Sequence, residues 1–203
     1  MGKVSRLLLG TQNNGKLKEM RAFLGTRCEV VGLSDLGRDI PEVPENENTY
    51  YEHALKKAVS YQRLMGIPCV ADDSGLEIDA LGGAPGVHSA TFGGVGLEWP
   101  QRWAHVLKQL KAFPPNRWTA RFRCVLCFYD GKAAPLFFEG ITEGRILPEP
   151  VGDRGFGYDP IVFSNELGTA FAQASIADKN RVSHRAKALK LFADWLDQSG
   201  SRG

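Results

Sequence analysis

Strand-like and helix-like stretches alternate through the first third of this chain, then give way to two neighbouring strands, and that order restricts the fold more than any other feature. Residues 4–10 are a short apolar run of the kind that forms a buried strand. Residues 16–24 follow, with Leu17, Met20 and Leu24 on one helical stripe. Residues 28–33 read as a second strand and residues 37–48, acidic and proline-containing, as a loop. A helix is expected over residues 49–64, where Ala54, Leu55, Ala58, Tyr61 and Met65 stand close to helical spacing. Residues 68–71 read as a strand ending at Asp72-Asp73, and residues 98–110 as a helix carrying Trp99, Trp103, Val106, Leu107 and Leu110. After the turn at Pro114-Pro115-Asn116, strands near residues 119–129 and 135–140 are joined by a hairpin at Asp130-Gly131. Residues 184–196 close the chain as a helix with Leu189, Phe192, Ala193 and Leu196 inward, and residues 198–203 are expected to fray. The pattern is that of one α/β domain with a mixed sheet, spanning residues 1–203.

A chain of 203 residues can bury roughly 70% of the surface its unfolded form exposes, enough for a full core. Lys plus Arg number 25 and Asp plus Glu 23, a net charge of +2 that argues against a nucleic-acid coat or a polybasic membrane binder. No apolar run approaches the ~20 residues that cross a bilayer, and the first residues lack a signal peptide's apolar stretch. A soluble, cytoplasmic protein is expected, with neither nucleic acid nor membrane as partner.

Four cysteines are too few and too scattered for a disulfide framework. Cys124 and Cys127 have CxxC spacing, but they lie inside a predicted strand. Residues three apart on a strand point to opposite faces, so the pair reads as structural rather than zinc-binding.

Four segments carry candidate chemistry, the second followed at once by a glycine-rich stretch, residues 81–86. Gly10-Thr-Gln-Asn-Asn-Gly15-Lys16 has the spacing GxxxxGK between a strand and a helix, yet Leu17 stands where a Walker A motif needs Ser or Thr for Mg²⁺. The turn, comprising Thr11, Gln12, Asn13, Asn14, Gly15 and Lys16, still offers backbone N–H groups and one cation to a phosphate; the alternative is a plain N-capped turn. Asp72-Asp73-Ser74 sits at a strand end, where α/β sheets bind ligands. Adjacent strand residues face opposite ways, so one carboxylate is expected to enter a site and the other to point away. The glycines of Leu81-Gly-Gly-Ala-Pro-Gly86 serve either positive φ or a close backbone approach. In Gly155-Phe-Gly-Tyr-Asp-Pro160 the glycines leave the faces of Phe156 open, either for stacking on a purine or as an anchor in a turn. Lys179-Asn-Arg-Val-Ser183-His184-Arg185 places cations at the start of the last helix, where the helix dipole does not favour them; Ser183 is the expected N-cap. His53, His88 and His105 read as surface or satisfied histidines.

In order along residues 9 to about 191, these segments resemble the inosine triphosphate pyrophosphatase family, house-cleaning nucleotidases for non-standard purine triphosphates. The matching pieces are Thr11-x-Asn13-x-x-Lys16, Glu45 with Thr49-Tyr50-x-Glu52-x-Ala54 and Lys57, Ala71-Asp-Asp73-Ser74-Gly-Leu76, the 81–86 glycine segment, Gly155-Phe-Gly-Tyr-Asp-Pro160, and Lys179-x-x-x-Ser183-His184-Arg185. The sequence departs from the family pattern at Gln12 (usually Gly), His53 (usually Asn) and Glu45-Asn-Glu-Asn48 (usually Glu-Thr-Gly). The resemblance implies a two-lobed α/β fold, a mixed sheet flanked by helices with a central cleft, as a homodimer. It implies hydrolysis of ITP, dITP or XTP to the monophosphate and pyrophosphate, with Mg²⁺ held by Glu45 and Asp73 and with Asp73 orienting or deprotonating the water. Lys16 and Lys57 would neutralise phosphates while Thr11, Asn13 and Ser74 donate hydrogen bonds. Phe156, in its Gly157-Tyr158-Asp159 setting, would stack on the base, and Lys179, His184 and Arg185 would read its polar edge. The rival readings are a phosphohydrolase releasing orthophosphate, against which Leu17 speaks, and a non-catalytic nucleotide- or RNA-binding module, against which the carboxylates speak.

Overall fold

A computed structural model describes residues 4–37 and 40–200. The predicted alternation is present. Strand β1, Arg6–Leu9, leads into α1, Asn14–Leu24, then β2, Glu29–Gly32. The long helix α2 is Tyr50–Met65, followed by β3, Cys69–Ile78, and α3, Trp99–Leu110. Strands β4, Thr119–Tyr129, and β5, Leu136–Ile146, precede two short strands, β6, Val162–Ser164, and β7, Thr169–Ala170. The chain ends in α4, Ile176–Val182, and α5, His184–Gly200. The strands form one sheet in the order β2-β1-β3-β4-β5-β6-β7. It is mixed, because β1 runs parallel to β2 and β3, while β6 runs antiparallel to β5 and β7. This bears out the α/β class and its mixed sheet.

The chain divides into two compact units. One comprises the chain up to Asp73, Cys124–Gly140 and the chain from Lys187; the other comprises Ser74–Arg123 and Ile141–Ala186. In the first, the α1 stripe Leu17, Met20 and Leu24 packs with Leu7, Leu9, Val70, Phe128 and the α5 residues Leu189 and Phe192. Gly10 follows β1 where a Cβ would come within 3.0–3.1 Å of Ala71, Tyr61 and Cys69, so a side chain there lacks room. In the second unit, Val106 and Leu110 of α3 pack on Leu76, Ile78, Phe122, Ile146 and Phe171. At the β4–β5 turn, Asp130 Oδ1 accepts from the N–H groups of Lys132 and Ala133, and Gly131 takes φ 82°. Cys124 and Cys127 are free and fully buried in β4, as their strand placement predicts, and burial pushes the Cys127 thiol up to about 12.

Four expectations change. The β3 strand does not stop at Asp72-Asp73 but runs on to Ile78, because both carboxylates find cations and need no solvent. The β5 strand runs six residues past Gly140, to Ile146, where β6 pairs with it. Lys179 belongs to a separate helix, α4; Ser183, with extended backbone at φ −66° and ψ 151°, breaks it from α5 and caps α5 through the Ala186 N–H. Residues 198–200 continue α5 rather than fray, and residues 201–203 lie outside the described residues. Among the described residues no helix is long and apolar enough to cross a membrane.

Candidate active site

In the first unit, α2 and the loop before it present their polar groups to β3. Thr49 caps α2 by accepting the Glu52 N–H, and Glu52 accepts in return from the Thr49 hydroxyl and the Asn48 N–H, a reciprocal cap that sets where the helix starts. His53 and Lys57, one turn apart, both lie on its buried face beside Ala54, Ala58 and Tyr61. Lys57 Nζ donates to Glu45 Oε1 at 2.7 Å and stands 3.8 Å from Asp73 Oδ1. His53 Nδ1 lies 2.9 Å from Asp73 Oδ2. Donor atoms of Glu45, His53 and Asp73 all lie within 4.8 Å of one another, a group able to hold a metal ion.

Burial dominates the electrostatics of Asp73. It pushes the carboxyl above its ordinary range with some help from Glu45, although Lys57, Lys16 and the hydrogen bond to His53 pull the other way. For Lys57, burial disfavours the charge, but Asp73, Asp72 and Glu45 together outweigh it and hold the ammonium above its usual value. Glu47, the other acid of the loop, is engaged by Lys56 at 2.7 Å, and that bond lowers its carboxyl. Glu45 is thus the loop carboxylate that faces Asp73.

Asp72 points to a different partner, as alternation along a strand requires, but not away from the predicted residues. Its side chain is fully buried and lies 3.0 Å from Lys16 Nζ. Lys16 can sit there because Asn13 caps α1, accepting the Lys16 N–H at 3.1 Å, while the Thr11 hydroxyl accepts the Asn13 N–H. Gly15 shares that first turn, and Gln12 donates to the Ile40 carbonyl. Thr11, Gln12 and Asn14 line a cavity of about 200 Å³ with Leu17, Leu33, Ser34 and Ile40. The turn is therefore N-capped, three of its residues line a recess, and its Lys16 ammonium is held at Asp72.

In the second unit a ring and two cations meet. Phe156 is exposed, between Gly155 at φ 77° and Gly157 at φ 65°. Its N–H donates to Asp159 Oδ2, and a Cβ on Gly155 would collide with that same carboxylate. Lys179 Nζ lies 4.5 Å from the ring centroid and donates to Asp159 at 2.7 Å. The Arg185 guanidinium carbon stands 5.6 Å from the same centroid, and Nη2 donates to the Ser74 hydroxyl at 3.1 Å. Arg185 is 2% exposed, so its aim is set by packing. His184 is buried as well, stacked on Phe122 at 5.0 Å. Tyr158 and Asp159 act as scaffold here: the Tyr158 hydroxyl donates to the Ser89 carbonyl, burial pushes it up to about 12, and Asp159 is occupied by Phe156 and Lys179. Gly157 contributes its carbonyl to Trp103 Nε1. In the 81–86 segment a Cβ on Gly82, Gly83 or Gly86 would meet open space, so these glycines supply positive φ and not a close approach.

His53 is the satisfied histidine of the two readings given above, buried against Asp73 and the Glu47 N–H, but it does not stand among the candidate site residues of the sequence. The available signal was its spacing, four residues before Lys57 on the same helix face.

An α/β protein that gathers lysines and carboxylates along one strand, and an exposed ring with two cations elsewhere, belongs to the class built to handle phosphorylated ligands. The Ham1 family model matches residues 7–195, and the chain belongs to that family. This bears out the resemblance read from the motifs. The dITP/XTP pyrophosphatase of Geobacter sulfurreducens is 41% identical over 198 residues, covering 97% of this chain and 99% of its own. That of Desulforamulus reducens is 42% identical over 195 residues, covering 95% and 96%. Among solved structures, a HAM1 protein from Coxiella burnetii matches with TM-score 0.87 at 34% identity, covering 95% of this chain and 98% of its own. The Ham1 protein of Staphylococcus aureus matches with TM-score 0.85 at 30% identity, covering 96% and 99%.

Proposed function

We propose that this chain hydrolyses the non-standard purine nucleoside triphosphates ITP, dITP and XTP to the monophosphate and pyrophosphate. Full-length relatives named for dITP and XTP support the substrate class. The observation that carries the chemistry is the buried Asp73 carboxylate, held between Lys57 and His53 with Glu45 alongside. A carboxyl raised by burial is suited to accept a proton from water, and the same carboxylate orients that water for attack on the α-phosphorus. Lys57 and Lys16 neutralise phosphate oxygens, and each is held in place by a carboxylate of β3.

The donor set fits a hard divalent ion. Glu45 and Asp73 offer carboxylate oxygens, whereas both nitrogens of His53 are already engaged, so the two carboxylates would hold Mg²⁺. When bound, the ion supplies positive charge to the phosphate chain. In the second unit, Phe156 stacks on the base, while Arg185, which can only donate, pairs with the 6-keto oxygen of hypoxanthine or xanthine and meets the 6-amino group of adenine as donor to donor. Lys179 and His184 complete that polar edge. On the family resemblance we take the protein to be a cytoplasmic homodimer; light scattering at twice the chain mass tests the assembly.

The test is a triphosphate panel assayed with Mg²⁺ for pyrophosphate and orthophosphate separately. Pyrophosphate from ITP and XTP, and little from ATP, is expected. Dominant orthophosphate release would replace this reading by a different phosphohydrolase, and nucleotide binding that persists in chelator without turnover would replace it by a binding module.

A further inference from the structure

We propose that His53 is a positioning residue that spaces the two acidic elements of this site: as the Nδ1–H tautomer it donates to the Asp73 carboxylate, and through Nε2 it pins the backbone of the loop that carries Glu45. The inference rests on the proposed function for the role of Asp73 and Glu45, but its geometry stands alone. The imidazole is 2% exposed. Its Nε2 accepts the Glu47 backbone N–H at 3.1 Å, and its Nδ1 lies 2.9 Å from Asp73 Oδ2. A backbone N–H can only donate, so Nε2 carries a lone pair and the single ring proton of the neutral imidazole sits on Nδ1, facing an oxygen that can only accept once ionised. Both nitrogens are thereby spent, and the tautomer is dictated by the two neighbours rather than chosen by the ring.

The Glu47 carboxylate does not compete for Nε2. It stands 3.7 Å away and takes the Lys56 ammonium and the Asn46 N–H instead. Residues of α2 hold residues 45–48 at several points: His53 the Glu47 N–H, Glu52 the Asn48 N–H, Lys56 the Glu47 carboxylate, and Lys57 the Glu45 carboxylate. Of these, only His53 also hydrogen-bonds Asp73, so one rigid ring links strand and loop. His53 and the Glu45–Asn48 loop are hydrogen-bond partners of each other. Asparagine at this position can donate to Asp73, but its shorter amide does not span to the loop backbone as an imidazole does.

The test uses the metal-free protein first. Long-range ¹H–¹⁵N spectra of wild type should show His53 as the neutral Nδ1–H tautomer; an Nε2–H tautomer would overturn the proposal. Backbone exchange at the Glu47 amide should be protected in wild type and quicken about fivefold or more in His53→Asn, the weight of one net hydrogen bond, with α2 amides unchanged. Isothermal titration with Mg²⁺ should show affinity weakened roughly 10- to 100-fold in His53→Asn, the usual cost of losing a ligand's outer partner. Kinetically, the loss should fall on kcat and apparent Mg²⁺ affinity, with KM for ITP at saturating metal near wild type. Unchanged Glu47 exchange together with unchanged Mg²⁺ affinity would overturn the proposal, and so would loss of the Nδ1 proton on Mg²⁺ addition, which would make His53 a ligand. A wild-type protein with the expected tautomer and exchange but no pyrophosphate release would refute the proposed function and leave this geometry intact.

Discussion

Replacing Asp72 by asparagine keeps the shape of a fully buried side chain but removes the charge that lies 3.0 Å from Lys16 Nζ. At that separation the gross attraction is about 5 kcal/mol for an effective dielectric constant near 20. Part of it is offset because the neutral amide no longer bears the cost of burying a carboxylate, and because the Lys16 side chain keeps 15% of its exposure and can recruit water. A net coupling of about 1.5–3 kcal/mol remains, the range of charge-assisted hydrogen bonds. Lys16→Ala alone should raise KM for the triphosphate roughly 10- to 150-fold, since the same interaction energy is then missing at the phosphate. Asp72→Asn should also raise KM, by a smaller factor, because the lysine remains but loses the carboxylate that holds it against β3. Urea denaturation of both single variants and the double variant, combined with ITP kinetics, measures each part. The double variant should cost less stability than the two single losses together, by the coupling energy. A coupling below about 0.5 kcal/mol, within the ordinary scatter of additivity, together with a wild-type KM for Asp72→Asn, would refute the reasoning and make Asp72 a bystander.

Asp73→Asn should lower turnover by at least ~10²-fold, the low end for proton-transfer assistance, and wild-type turnover would remove Asp73 from the chemistry. Because burial raises the folded-state pKa of Asp73, the folded state binds its proton more tightly than the unfolded chain, so this group subtracts stability as pH rises from about 3.9 through its folded value. In the metal-free protein the variant should therefore gain relative to wild type as pH rises through that window; urea midpoints across it would show the trend, and a gain confined to lower pH would contradict the sign. Arg185→Ala should lose activity on ITP and narrow the ITP-to-ATP ratio of kcat/KM, and unchanged selectivity would show that another group reads position 6. Gly155→Ala, which drives a Cβ into Asp159 at φ 77°, should cost about 1–3 kcal/mol and weaken nucleotide binding by displacing Phe156. Gly82→Ala, at φ 64° with open space, should cost about 1 kcal/mol and leave KM unchanged in the same assays.

Much of this architecture is written in short-range pattern. The Leu17, Met20 and Leu24 stripe, the β4 strand with its two cysteines on opposite faces, the Asp130-Gly131 turn and the Ser183 cap are all set by residues within a few positions of one another. Helical and strand periodicity, capping and turn chemistry act over that range, so a sequence displays them directly. The segment motifs and the family resemblance likewise name Asp73, Lys57, Phe156 and Arg185 as candidates, since both rest on residue order along the chain.

What the sequence left open depends on partners distant along the chain. Whether β3 stops at its two carboxylates or runs through them depends on cations supplied by α1 and α2, and Lys16 and Lys57 are present to meet them. Whether Glu45 or Glu47 faces Asp73 depends on which lysine of α2 each one meets. His53 reads equally as a surface or a satisfied histidine until α2 is packed against β3, and only then are both of its nitrogens engaged. Burying a charge or an imidazole costs several kcal/mol unless a partner stands within hydrogen-bond reach. Local pattern specifies each residue's side of a helix or strand, but only the tertiary fold brings partners 12 to 56 positions apart to within 4 Å, and that proximity decides which polar groups can be buried.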